Sequence, residues 1–207
     1  MALFFLQGMA LALPATILPS SFKIFLISRS LAIGWRSTMP AVFTPLITDI
    51  PIIIVALLLL NQIPTNFLHM LRILGGLFIL YIAWRIIRLW RKGGPMFEAS
   101  EQASQQSFRQ ALVINALNPN PYLLWGVVAG PIVLSGMQER SPAVGISFII
   151  GFYVTFVLGL AALVWIFSTV GKLSPTLNRI LSGVAVVALV ILGLLQIIIG
   201  VRALFNI

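Results

Sequence analysis

Six long, nearly uninterrupted apolar runs divide this chain, and they decide what it can fold into. They cover roughly residues 2–27, 39–60, 67–89, 110–134, 143–170 and 177–204. A helix needs about 20 apolar residues to cross the hydrocarbon core of a bilayer, and each run reaches that length. The runs are continuous rather than alternating, which excludes a transmembrane β-barrel. Of the 207 residues, 60% are hydrophobic and 8% charged, with a mean hydropathy of +1.09. Soluble domains carry about 25% charged residues, so a chain this apolar needs lipid as its solvent. The expected fold is an all-α polytopic membrane protein of six transmembrane helices.

The N-terminal run resembles a secretory signal peptide, with Ala10-Leu11-Ala12 in place of a cleavage site. No Lys or Arg precedes it, and a positive leading segment is the usual mark of such a peptide. The run is therefore read as the first helix. The net charge of +9 would suggest nucleic acid in a soluble protein. Here the cations sit between apolar runs, where they set topology and meet lipid headgroups, so membrane lipids are partners and nucleic acid is not. Cysteine is absent and His69 is the only histidine, which leaves no disulfide framework, redox pair or metal-ligand set. No catalytic constellation appears, so neither enzymatic activity nor a cofactor is expected.

Lys and Arg divide unevenly between the two sides. The first, third and fifth connections and their flanks hold Lys23, Arg29, Arg36, Arg85, Arg88, Arg91, Lys92, Arg109, Lys172 and Arg179, ten of the thirteen; Arg72, Arg140 and Arg202 fall on the other side. The positive-inside rule puts the first set in the cytoplasm and both termini outside, in an inner (plasma) membrane. The longest connection, 91–109, separates residues 1–90 from 110–207.

The two halves share features. Arg72-Ile73-Leu74-Gly75-Gly76 opens the third helix and Arg179-Ile180-Leu181-Ser182-Gly183 the sixth, with four of five residues identical. Pro19 precedes Phe22 in the first helix as Pro119 precedes Tyr122 in the fourth. Three helices per half is an odd number, so the copies have opposite orientations, the inverted-repeat layout of many secondary transporters. Proline within a helix frees a carbonyl, which in lipid needs another partner or a water-filled cavity. Pro19-Ser20-Ser21 and Asn118-Pro119-Asn120-Pro121 are thus expected to break helices one and four and to build a polar substrate site between the half-helix ends, and Pro14 is expected to interrupt the first helix as well. The simpler alternative is a pair of kinks capped by Ser and Asn.

Asp49 is the only acid in any apolar run. A mid-membrane carboxylate is costly and commonly marks an ion or substrate path, which suggests a proton-coupling role. The structural alternative is a buried tie to Arg72 or to a hydroxyl such as that of Thr48. Lys23 either snorkels to the membrane edge or recognises a substrate carboxylate.

These residues together resemble the LysE/RhtB amino-acid exporter family. Its first helix carries Pro-Gly-Pro, its first cytoplasmic loop a Gly, its second helix Gly-Asp and its fourth helix Asn-Pro-Lys. Here Pro19-Ser20-Ser21, Gly34, Thr48-Asp49 and Asn118-Pro119-Asn120 stand at those positions, and Gly75-Gly76, Tyr81 and Pro131 fit the pattern elsewhere. The departures fall where substrate would bind. The resemblance implies export of amino acids or derivatives by a homodimer. A lipid or glycolipid mover of the same superfamily, or a non-transporting assembly subunit, is the alternative.

Overall fold

The computed structural model describes residues 1–58, 65–91, 101–139, 141–173 and 175–205, and every element among them is helical. The order is α1 (Ala2–Ile17), α2 (Ser21–Val42), α3 (Thr44–Leu58), α4 (Thr65–Arg91), α5 (Glu101–Ala116) and α6 (Pro119–Leu123). A π-helical turn (Leu124–Ala129), α7 (Gly130–Glu139), α8 (Pro142–Leu173) and α9 (Pro175–Phe205) follow. Three stretches are long and apolar enough to cross a membrane by length and composition: Ser21–Leu58, Pro142–Gly171 and Arg179–Leu204. Large aliphatic side chains crowd the surface, among them Leu58, Val127, Leu158 and Val184, while Asp49, Lys23, Arg29 and Asn115 are buried. This inside-out distribution suits lipid as the surrounding medium.

Helix boundaries depart from the sequence expectation in instructive ways. Pro14 does not interrupt α1; the helix runs past it to Ile17, and the Leu18 amide bonds to the Pro14 carbonyl. A proline loses its own amide bond and crowds the carbonyl four residues back, yet α1 continues through it; the break falls at 18–20, where Ser20 caps the next helix by accepting from the Lys23 amide at 3.4 Å. The fourth apolar helix was expected from Gln110 with a break near its start. The chain is instead already helical from Glu101, so α5 precedes the break with a length of 16 residues, the same as α1. Its first turns, Glu-Gln-Ala-Ser-Gln-Gln, are good helix formers but polar, and hydropathy passes over them. They hold together through a narrow buried stripe, Ala103, Ser107, Ala111, Ile114 and Asn115, laid against α2. The expected linker 91–109 therefore contributes its last turns to α5, while 92–100 lie outside the described residues, as does 59–64.

Gly34 divides α2. Its φ of 81° and ψ of 167° lie where a Cβ is strongly disfavoured. The Trp35 amide freed at this bend donates to Ser168 Oγ on α8 at 3.0 Å, so the turn is pinned to a neighbouring helix. Close backbone approach fixes another pair: a Cβ on Gly151 of α8 would collide with the Phe5 backbone of α1. Small residues permit such contact in membrane bundles, where van der Waals packing replaces the hydrophobic drive.

Two apolar clusters form the interior. One gathers Phe22, Phe25, Ile79, Ile114, Leu160 and Leu189 from α2, α4, α5, α8 and α9. The other gathers Ala12, Ile52, Trp125, Phe148 and Phe152 from α1, α3, the π turn and α8. Phe156 packs against both.

Candidate functional site

The helix breaks at 18–20 and 117–118 face one cavity of about 670 Å³, whose walls include Pro19, Ser20, Lys23, Asp49, Asn115, Asn118, Asn120 and Pro121. Each break leaves carbonyls at the end of one helix; the next helix starts with free amides after the first break, but after the second Pro119 and Pro121 leave only the Asn120 amide among its first three residues. At the first, Ser20 caps α2, and the Lys23 ammonium donates to the Ala15 carbonyl near the end of α1. At the second, Asn118 Oδ1 accepts from the Asn120 amide at 3.1 Å, and the Tyr122 hydroxyl donates to the Ala116 carbonyl at 3.0 Å. Pro119 occupies the first turn of α6, where its missing amide costs nothing. Immediately after α6 the backbone widens into the π turn, which sets Val127 and Val128 in the cavity wall and buries Trp125. Single π turns of this kind recur at functional sites.

Asp49 on α3 is 4% exposed and takes its hydrogen bonds from neutral donors. Tyr153 Oη donates to Oδ2 at 3.0 Å, Asn115 Nδ2 to Oδ1 at 2.8 Å, and Thr48 Oγ1 approaches Oδ1 at 3.3 Å. Asn115 Nδ2 also donates to Thr48 Oγ1 at 2.6 Å, leaving the threonine proton for the Thr44 carbonyl, 3.0 Å away, or for Asp49. Tyr153 is itself held rigidly, stacked on Trp125 and edge-on to Phe152. Asp49 thus joins α3, α5 and α8 through one carboxyl group. Among the described residues it forms no ion pair. The Arg72 side chain, its expected partner, lies outside the described residues.

Of the residues expected at the site, Pro19, Ser20, Lys23, Asp49, Asn118, Asn120 and Pro121 share this cavity. Ser21 and Pro119 stand behind its wall. Both are buried, and Ser21 Oγ accepts from Gln196 Nε2 of α9 at 2.8 Å. Lys23 does not snorkel to an edge; it is 5% exposed and turned back onto α1. The sequence reading missed Asn115 and Tyr153, although each is a polar group inside an apolar run. It also missed the apolar half of the wall, which includes Phe22, Leu124, Val127, Phe152 and Phe156. The cavity is therefore amphiphilic: an acid, a cation and amides on one part, aromatic and aliphatic surface on the rest. Among the described residues no cluster of His, Cys, Asp or Glu is arranged to hold a metal.

No curated protein and no protein of solved structure is measurably similar to the chain. The model of the LysE type translocator family, in contrast, matches residues 14–206. That span takes in both helix breaks, Gly34, Asp49 and the whole cavity, and the chain belongs to the LysE type translocator family, membrane proteins that move small molecules across the bilayer.

Proposed function

We propose that this protein exports amino acids or related small polar metabolites across the plasma membrane by proton-coupled alternating access. One observation carries the reading: a buried acid, held only by neutral donors among the described residues, stands in the wall of a cavity where two helices break. A zwitterion finds opposite charges there in Lys23 and Asp49, and the positive end of the helix that starts after the first break. The remaining wall is apolar and accommodates a side chain. Moving a net positive charge outward against an inside-negative potential costs about 2.3 kcal/mol per 100 mV, so a zwitterion driven by inward proton flow is the economical cargo. Asp49 carries the proton.

The matched breaks support an inverted repeat of two three-helix halves, residues 1–90 and 110–207, joined by 91–109. In this arrangement α1 with the first leg of α2 corresponds to α5 through α7, the second leg of α2 with α3 corresponds to α8, and α4 corresponds to α9. The halves rock about the cavity, and the working unit is a homodimer.

Lipid translocation is the second reading. Leu18 and Val127 belong to the cavity wall and are more than half exposed, so the cavity is open at large apolar side chains, which favours a mouth toward lipid. Uptake of radiolabelled amino acids into everted vesicles, with and without a proton gradient, separates the two. Gradient-dependent accumulation supports export. Its absence, together with movement of a fluorescent lipid between leaflets of reconstituted vesicles, supports the second reading.

A further inference from the structure

A second cavity, of about 330 Å³, lies between α4 and α5, walled by Tyr81 and Arg85 on one side and by Gln102, Gln106, Arg109 and Gln110 on the other. The α5 residues recur at three- and four-residue steps and so form one helix face. No acidic side chain is among the described residues of the wall. With the Gln106 amide oxygen turned toward it, Arg85 donates from Nη1 at 2.8 Å and from Nη2 at 3.2 Å. A guanidinium has five N–H donors, and one amide oxygen does not neutralise it. Opposite stands Gln110 Oε1, buried and without a donor, an arrangement that is destabilising unless a ligand completes it. Among the described residues the cavity thus presents guanidinium groups with no acid beside them and one orphaned acceptor.

Its depth in the bilayer follows from the aromatic side chains beside it. The rings of Phe78, Tyr81 and Trp84 follow one another along α4 at centroid spacings of 6.3 Å, and the Arg88 guanidinium lies 5.3 Å over Trp84. Tyr81 and Trp84 are about half exposed, the amphipathic pattern of the headgroup level. Tyr81 belongs both to that exposed row and to the cavity wall, so the mouth opens sideways onto lipid headgroups.

We propose that this cavity binds the phosphodiester headgroup of an acidic phospholipid of the phosphatidylglycerol type. Arg85 and Arg109 take the phosphate through charge-assisted hydrogen bonds, and Gln110 Oε1 accepts from a headgroup hydroxyl. Because α5 leads directly into the break at 117–118, the bound lipid also braces that half-helix. The inference rests on membrane residence and not on the direction or cargo of transport.

The experiment uses the full chain, purified in detergent, stripped of lipid and offered phosphatidylglycerol, phosphatidylcholine or inorganic phosphate. Retention is read by native mass spectrometry and stability by thermal melting. The expected result is selective retention of phosphatidylglycerol with a raised Tm. Arg109→Gln and Gln110→Leu should each weaken retention, Arg109→Gln by about tenfold, as befits loss of a charge-assisted contact. Arg88→Gln, whose cation is nearby but outside the cavity, should retain the lipid as the parent does. Equal retention of phosphatidylcholine, or equal loss in Arg88→Gln, would reduce the cavity to a diffuse basic surface and overturn the proposal. Equal stabilisation by inorganic phosphate would make the ligand a free anion and overturn it as well.

Discussion

Asp49 meets two different demands with one set of partners. Three helices supply its hydrogen bonds, so the group is satisfied in a medium where an unpaired carboxyl would be strongly unfavourable. None of those donors is charged, so proton uptake or release changes the net charge at the cavity wall. Asp49→Asn preserves the shape and removes the titration. The variant should insert and fold like the parent, still exchange substrate across vesicle membranes, and lose accumulation driven by a proton gradient. Full gradient-driven accumulation by a well-expressed variant would eliminate the proton-carrier role. A purely structural acid tied to Arg72 makes a different forecast: lowered stability in Asp49→Asn and the same defect in Arg72→Ala, which strands a buried charge. The buried position of Asp49 was legible in the sequence because a lone acid in an apolar run is too expensive to face lipid. Its partners were not. Asn115 and Tyr153 lie 66 and 104 residues away, and only the folded bundle brings them to it, Asn115 on α5 packed against α3 and Tyr153 reaching across from α8.

At the scale of elements, the six apolar runs foretold helices but not how those helices are interrupted. Hydropathy registers what lipid surrounds. It does not register the polar first turns of α5, which are helical because Ala103 and Ser107 pack on α2 and take hold of Arg29: Nε donates to Ser107 Oγ at 2.7 Å and Nη2 to the Ala103 carbonyl at 3.2 Å. Proline positions were likewise an incomplete guide, since Pro14 is tolerated within α1 and Pro121 within α6. Breaks require, in addition, a residue able to cap the next helix, as Ser20 and Asn118 do. Gly34 is a bend without proline, and its cause is conformational. A Cβ in this region of φ and ψ, essentially reserved for glycine, costs on the order of 2 kcal/mol, and here the bend also sets the Trp35 amide on Ser168 Oγ. Space is not the obstacle, because a Cβ at this position would meet only Ser168 Oγ at 3.9 Å. Gly34→Ala should therefore lower the thermal midpoint by several degrees, a shift of the size that roughly 2 kcal/mol produces in a chain of this length. A midpoint equal to that of the parent would mean that the bend relaxes without strain.

Across the whole molecule, contacts between distant segments sort the charged residues by end. Arg29 is bonded to the start of α5 and Arg85 to Gln106 in the same region, while the Gly34 bend next to Arg36 is bonded to Ser168, near the end of α8. These residues occupy one end of the bundle. The N-terminus belongs to the other: Ser147 Oγ donates to the Met1 carbonyl at 3.2 Å, and a Cβ on Gly136 would strike the Phe4 ring. The last helix starts at Pro175, shortly after the Ser168 end, and runs for 31 residues. At about 1.5 Å per residue that carries it through the full thickness of a bilayer, so residue 205 emerges on the side of Met1. On the six-span reading proposed above, the basic end carries most of the Lys and Arg in the chain, and both termini share the opposite side. The positive-inside rule makes the basic end cytoplasmic. A reporter that is active only in the cytoplasm should stay silent when fused to either terminus, and a complementary reporter active only outside should respond at both. The six-span reading has an even number of crossings, so it requires the two termini to give the same answer. Cytoplasmic activity at both ends would turn the molecule over in the membrane and make the basic end external. Activity at one end alone would require an odd number of crossings and would overturn the six-span reading.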